Sequence, residues 1–272
     1  MAISLRGRPL GSDRGNGQLV ALLEVDNITV QFGGIRALDA LTFSMPEGSI
    51  VGLIGPNGAG KTALFNVVSR IYDPAKGSLR FDGDDLLSHP PHKISNLGIY
   101  RTFQNLALWP GMSVLENVMA GAHTRAKQNF FSSMVRFGLK KEEGQLASEA
   151  FAILSDLGLG DVAMRQCAGL PYGTMKRIEL ARALMGNPRL LMLDEPATGL
   201  TQSEVAVLAD VITGIRDRYD LTILLVEHHM GMVMSISDHV VVLDFGSKIA
   251  EGTPKQVQED PAVIEAYLGA PA

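Results

Sequence analysis

An α/β fold built on a parallel core sheet is the architecture this sequence predicts, and three observations lead to it. From residue 190 onward, short apolar runs alternate with helical patterns: Leu190 to Leu193, Ser203 to Tyr219, Leu221 to Val226, Met230 to Ile236 and His239 to Leu243. Such alternation produces parallel strands joined by crossover helices. Earlier, the apolar run Ser49 to Ile54 leads into the glycine-rich turn Gly55-Pro56-Asn57-Gly58-Ala59-Gly60-Lys61-Thr62, and a helical pattern follows it. Between that helix and the Leu190 run lie roughly 120 residues, enough for an inserted helical subdomain, expected at about 106–188.

The remaining elements follow in order. Leu22 to Val30 and Ala37 to Ser44 alternate as strands do, and Pro46-Glu47-Gly48 turns the chain into the Ser49 run. Ala63 to Ile71 has apolar residues at helical spacing until Asp73-Pro74 stops it. Ser78 to Phe81 is a short strand closed by Asp82-Gly83, and the stretch from Pro90 starts helix-like and turns extended over Gly98 to Gln104. Ser113-Val114-Leu115-Glu116 matches a capping box, which predicts helix to about Ala122. Thr124 to Gly144 reads as polar and irregular. Its Phe130, Phe131 and Phe137 beside Arg136, Lys140 and Lys141 suit a solvated insertion with a small core better than contact with lipid headgroups. Helices are expected over Gln145 to Leu157 and Met175 to Met185, the latter ended by Gly186-Asn187-Pro188. Residues 1–20 carry Arg6, Arg8 and Arg14 among glycines, lack the apolar stretch of a secretory signal, and read as a disordered tail.

Bulk properties narrow the function classes. With 272 residues and 46% apolar content the chain can bury a sizeable core. A net charge of −5 offers no nucleic-acid surface, and the single cysteine, Cys167, rules out an internal disulfide and fits a reducing compartment. No apolar run approaches the roughly 18 residues needed to cross a bilayer. The expected location is the cytosol, with any membrane role supplied by a partner.

The glycine-rich turn fits G-x-x-x-x-G-K-[ST] between a strand and a helix, the context a phosphate-binding loop requires. Glycines let successive backbone N–H groups converge on one anion, and the following helix adds the positive end of its dipole. Lys61 is placed to reach the β- and γ-phosphates and Thr62 to put its hydroxyl on Mg²⁺. A second element, Leu190-Leu191-Met192-Leu193-Asp194-Glu195, sends two carboxylates out of the C-terminal end of a buried strand, where ligands gather in open α/β sheets. Alone, Asp-Glu after a strand reads more readily as a helix-capping pair. Beside a phosphate loop, Asp194 becomes the metal carboxylate and Glu195 the residue that polarises the attacking water. His228, in Val226-Glu227-His228, also ends an apolar strand; it reads as a γ-phosphate contact, as the residue that orders the catalytic glutamate, or as an exposed loop histidine. Gln104 reads either as a contact to Mg²⁺ or the attacking water, or as an ordinary loop residue.

Taken together these residues resemble the ATP-binding subunit of an ABC transporter, from Leu22 to Gly269. GPNGAGKT (Gly55 to Thr62) resembles the Walker A motif, LLMLDEP (Leu190 to Pro196) the Walker B motif, RTFQN with Gln104 the Q-loop, and VEHHM with His228 the switch-histidine loop. LPYGTMKRIELARAL (Leu170 to Leu184) sits where the family signature belongs. FGGIRALDALTF, PPHKISNLGIYRTFQNLALWPGMSVLENVMAGAH and EGTPKQVQEDPAVIEAYLG are similar to the branched-chain amino acid importer group, of LivG type. Urea or amide importers and the lipopolysaccharide-transport ATPase are also similar.

The resemblance implies an N-terminal antiparallel β subdomain, ATP with Mg²⁺, and an aromatic, Phe32, stacked on adenine. It implies a head-to-tail ATPase dimer in which Leu170, Pro171, Tyr172, Gly173 and Thr174 of one chain cover the ATP held by the other. It further implies integral-membrane permease partners, a periplasmic solute-binding protein met only indirectly, and a place at the cytoplasmic face of the inner membrane. The permease is expected to dock near Gln104 to Trp109, where Leu106, Leu108 and Trp109 form an apolar cluster that suits buried packing in the helical subdomain equally well. Several positions depart from the family pattern. Pro171, Tyr172 and Thr174 stand in the signature where the family has LSGGQ, proline and tyrosine being common in this importer group and Thr174 less expected. Ala63 stands where a second hydroxyl is common, and Ala197-Thr198-Gly199-Leu200 replaces the usual D-loop aspartate segment in a manner typical of the group. Pro171 removes a hydroxyl and an N–H donor, so a slow composite site is expected. Among rivals, a soluble P-loop kinase or GTPase would need a lid or a guanine-reading Asn-Lys-x-Asp segment, a repair ATPase a long coiled coil, and an ABC exporter a different permease.

Overall fold

The computed structural model describes residues 21–102, 106–123 and 136–268. The hairpin strands β1 (Ala21–Phe32) and β2 (Ile35–Pro46) precede β3 (Ile50–Ile54), which leads into helix α1 (Lys61–Val68). After α1, β4 (Lys76–Phe81) pairs with β1 and β5 (Asp84–Asp85) with β4, which completes an antiparallel sheet in the order β2-β1-β4-β5. In β1 the buried residues Leu23 and Val25 alternate with exposed Glu24 and Asp26. At Asn27 (φ 54°) the register shifts, a bulge that returns Ile28 and Val30 to the inner face.

The second sheet has six strands in the order β10-β9-β3-β8-β7-β6. Its members are β6 (Ile99–Arg101), β7 (Leu190–Asp194), β8 (Thr222–Val226), β9 (His239–Asp244) and β10 (Ser247–Gly252) around β3. All pairs are parallel except β10 with β9. β3, β7 and β8 are buried along their whole length, as expected of strands covered on both faces. Their period of two divides the core. Leu53, Met192 and Leu224 join an apolar cluster with α1 and the antiparallel sheet, whereas Ile54, Leu191 and Leu225 join one made with the remaining helices.

Those helices are α2 (Val114–Met119), α3 (Arg136–Asp156), α4 (Tyr172–Leu184), α5 (Gln202–Tyr219) and α6 (Met230–Ile236), followed by α7 (Pro254–Gln258) and α8 (Pro261–Leu268). The capping box at Ser113 and Glu116 is present, and Thr201 with Glu204 and Thr253 with Gln256 repeat it at α5 and α7. Each hydroxyl accepts from an N–H that the helix leaves unpaired, worth about 1 kcal/mol. None of the described helices is long and apolar enough to cross a membrane.

Several boundaries differ from those expected. α1 ends at Val68 because Arg70 (φ 58°) reverses the chain ahead of Pro74. α3 begins at Arg136, not Gln145, and passes through Gly138 and Gly144. Each glycine costs a helix about 1 kcal/mol, and burial of Ala150, Ile153, Leu154 and Leu157 holds the helix in place. The helix-like stretch after Pro90 is a 3₁₀ turn over Pro91–Leu97, and α4 starts at Tyr172 rather than Met175. Residues 1–20 and 124–135 lie outside the described residues.

The packing of α2 on α4 has one weak tolerance. Gly121, in the turn after α2, leaves only 1.9 Å between a notional Cβ and the Arg182 carbonyl oxygen of α4. Gly121→Ala is expected to lower unfolding stability in urea by about 1 to 3 kcal/mol, the usual cost of overpacking. An unchanged urea midpoint would contradict this packing.

Candidate nucleotide site

The C-terminal ends of the adjacent strands β3, β8 and β7 bring three of the sequence motifs to one edge. At the end of β3 the chain bends through Gly55 (φ 153°), Gly58 (φ 84°) and Gly60 (φ 105°) before entering α1. Two of these positions exclude any side chain. A Cβ at Gly55 would meet the Leu243 carbonyl oxygen at 2.1 Å, and one at Gly60 the Ala37 carbonyl oxygen at 2.5 Å. The bend is braced by β9 and β10, since Gly246 N–H donates to the Ala59 carbonyl at 3.0 Å. Because Gly60 is the N-cap, no side chain caps α1 and no acidic residue occupies its first turn. Its leading N–H groups are thus left for an anion.

Lys61 folds back over this loop, its Nζ donating to the carbonyls of Gly55 at 2.7 Å and Pro56 at 2.9 Å. Burial pushes its pKa below the ordinary lysine value, and the nearby Glu195 and Asp194 carboxylates pull it partly back. Asn57, Gly58 and Thr62 are exposed, while Ala63 faces the core, so it offers the loop only its backbone. Phe32 is about half exposed (49%) at the tip of the β1–β2 hairpin and meets Tyr72 edge-on at 4.9 Å.

Asp194 ends β7 in a nearly closed environment. Its Oδ2 accepts from Arg101 Nη2 at 2.6 Å, and Arg101 Nη1 donates to Asn66 Oδ1 at 2.8 Å. The Arg101 guanidinium also lies over the Phe65 ring at 5.2 Å. Glu195, the next residue, has φ 47°, a conformation that costs a non-glycine residue of order 1 kcal/mol or more. Its N–H donates to the Val226 carbonyl at 2.8 Å, and Thr198 Oγ1 donates to its Oε2 at 3.3 Å. From the end of β8, His228 places Nδ1 at 3.9 Å from Glu195 Oε2 and 3.3 Å from Glu227 Oε1. The loop, both carboxylates and the histidine therefore meet. The donor set suits a magnesium triphosphate: uncapped N–H groups and an ammonium for the phosphates, with the Thr62 hydroxyl and Asp194 as hard oxygen ligands.

Other predicted residues lie elsewhere. Gln104 is outside the described residues. Leu170 is buried, Pro171 is the N-cap of α4 with no side-chain bond to it, and Tyr172, Gly173 and Thr174 form its first turn. Tyr172 and Gly173 pack against Gly199 and Glu204 rather than against the phosphate loop. Leu108 packs on the helical core, whereas Trp109 is half exposed (51%) beneath the Arg182 guanidinium. Met232 is buried in α6, with Met230 and Met234 packed against the same core. A cavity of about 490 Å³ lined by Glu47, Arg216, Asp238 and His239 opens at the opposite end of the strands, away from all of this chemistry.

Three contributors had no role in the sequence reading. Arg101 pairs with Asp194 across neighbouring strands, and only its place three residues before Gln104 hinted at it. Glu227 is fully buried; a charge continuing an apolar strand was the available signal. Tyr267 in α8 brings its phenol to the Gly55 backbone, and burial raises its pKa.

A family model described as ABC transporter matches residues 38–198, and one described as branched-chain amino acid ATP-binding cassette transporter matches 247–272. The high-affinity branched-chain amino acid transport ATP-binding protein BraF of Pseudomonas aeruginosa is 41% identical over 249 residues, spanning 91% of this chain and 98% of that protein. LivG of Escherichia coli K12, with the same description, is 38% identical over 249 residues, with coverages of 91% and 98%. A crystal structure of an ATP-binding cassette of an ABC transporter in its ADP conformation is 31% identical with a TM-score of 0.80, covering 92% of this chain and 99% of that one. Identity sustained over nearly the whole length of such relatives places this chain in the ABC transporter ATP-binding family, whose members are nucleotide-binding ATPases.

Proposed function

We propose that this chain is the ATP-hydrolysing subunit of an importer for branched-chain amino acids or a related small polar solute. It works at the cytoplasmic face of the membrane with permease subunits and a second ATPase copy, paralogous or identical. The observation that carries the solute class is the match of residues 247–272 to the branched-chain amino acid model, joined to 41% identity with BraF. Residues 21–272 act as one nucleotide-binding unit, with the segment at about 106–188 as its helical subdomain and 1–20 as a tail.

In this reading ATP lies with its phosphates on Gly55 to Thr62 and Ala63, its adenine against Phe32, and its β- and γ-phosphates on Lys61. Magnesium, held by Thr62 and Asp194 with Gln104, would neutralise charge developing on the phosphate oxygens. The chain's own groups do the rest. Glu195 takes a proton from water as its oxygen bonds to the γ-phosphorus and the bond to the bridging oxygen breaks. His228 contacts the γ-phosphate from the end of β8. The uncapped start of α4 in the second copy, at Leu170 to Thr174, closes over that phosphate, with Pro171 contributing no hydroxyl. ATP joins the two copies, and hydrolysis releases them.

Three outcomes test this. Glu195→Gln should bind ATP as tightly as the native chain, persist as an ATP-held dimer by size-exclusion chromatography, and lose turnover by roughly a hundredfold or more, the usual worth of a general base. Native turnover in that variant would remove Glu195 from the chemistry. Copurification from membranes with a permease and an amino-acid-binding protein is the accompanying test of the solute class. Lys61 gives the pH test. Its pKa already lies below the ordinary lysine value, so ATP affinity should weaken as pH rises through that lowered pKa and the ammonium is lost. Lys61→Arg stays charged and should flatten the profile; the same alkaline decline in both proteins would contradict the role.

A further inference from the structure

We infer that Glu227 is a positioning residue that fastens the His228 loop to the turn carrying Glu195. The inference rests on the catalytic reading of Glu195 and His228 given above. Glu227 follows β8 directly, and its side chain is entirely buried. Among the described residues no lysine or arginine lies within ion-pair distance of it. Three backbone N–H groups meet the charge instead. Oε2 accepts from Ala197 at 2.9 Å, and Oε1 accepts from His228 at 2.9 Å and His229 at 3.2 Å.

The two oxygens divide the labour. One oxygen holds the chain two residues beyond Glu195; the other holds the histidine itself. A buried carboxylate is costly unless fully hydrogen-bonded, and here all its bonds go to the two segments that carry the chemistry. Glu195 sits at φ 47°, and such a conformation persists only when its surroundings over-determine it. The Val226 carbonyl accepts from its N–H on one side, and the Glu227 clamp on Ala197 fixes the chain on the other.

Glu227 also governs the imidazole. Its Oε1 is closer to His228 Nδ1, at 3.3 Å, than Glu195 Oε2 is, at 3.9 Å. It therefore competes with Glu195 for that ring nitrogen. A metal site is the other use for this cluster, since ligand atoms of Glu227, His228 and His229 lie within 4.8 Å of one another. The three N–H groups already occupying the carboxylate favour the clamp.

Glutamine at 227 keeps the shape but turns one acceptor into an amide donor facing a backbone N–H, so one of the two anchorages is lost. Glu227→Gln and Glu227→Ala should bind ATP with Kd within about threefold of native, while kcat falls roughly tenfold to a hundredfold, the scale set by small misplacements of reacting groups. Glu227→Gln should retain more activity than Glu227→Ala. In a His228→Ala background Glu227→Gln should slow turnover little further, because both act through one loop. Native kcat in Glu227→Gln, a loss confined to ATP affinity, or full multiplicative losses in the double variant would each overturn the inference. If neither variant folds, amide hydrogen exchange on the native chain decides. The Ala197, His228 and His229 amides should be protected together, and rapid exchange at His228 and His229 beside a protected Ala197 would overturn it. Native turnover in Glu195→Gln, by contrast, would sink the catalytic reading and leave the exchange result standing.

Discussion

The constraint on which the rest of the structure depends is the bare start of α1. Gly60 is pressed against the Ala37 carbonyl where no Cβ fits, so the N-cap position of α1 has no side chain with which to cap the helix. Four N–H groups at a helix start require partners, and here none comes from a side chain. The Lys61 ammonium sits beside them, tied to Gly55 and Pro56 carbonyls. A concentration of positive potential with no acidic residue in α1's first turn suits a bound anion. The neighbouring strand ends place Asp194, Glu195 and His228 at the same edge.

Costly features gather at this same edge. Glu195 has a left-handed backbone, Lys61 is partly desolvated, the Arg101–Asp194 pair is largely removed from water, and Glu227 is buried with, among the described residues, no lysine or arginine within ion-pair distance. Removing either partner from a buried pair of this kind costs several kcal/mol as a rule. Elsewhere the chain follows ordinary rules: strands buried on both faces, three capping boxes, and two apolar clusters on opposite sides of one sheet. Those cores make the strain tolerable. The arrangement also has a mechanical sense, because Arg101 stands on the strand that leads to Gln104 while gripping Asp194.

Much of this was legible in the sequence, and the reasons are specific. The phosphate loop announces itself because glycine, lysine and threonine at fixed spacing have few other uses together. The capping box at Ser113 is equally local, and β7 and β8 each carry four consecutive apolar residues. What could not be read depended on distance. Arg101 meets Asp194 only because β6 lies beside β7 across a gap of 93 residues. Glu227 gains meaning from Ala197, 30 residues away. The start of α3 was hidden because two glycines and a polar face obscure the period that tertiary burial nonetheless enforces. Tyr267 in α8 reaches the Gly55 backbone only through the tertiary fold, which no local pattern in the sequence encodes.

In the proposed reading, binding is governed by the β- and γ-phosphates on the loop at Gly55 to Thr62, not by the base. Isothermal titration calorimetry of the purified chain with ATP, ADP and AMP in magnesium tests it directly. Heat of binding is expected with ATP and ADP and none with AMP, the signal vanishing when Lys61 is replaced by alanine. Equal affinity for all three nucleotides, or binding indifferent to Lys61, would contradict it.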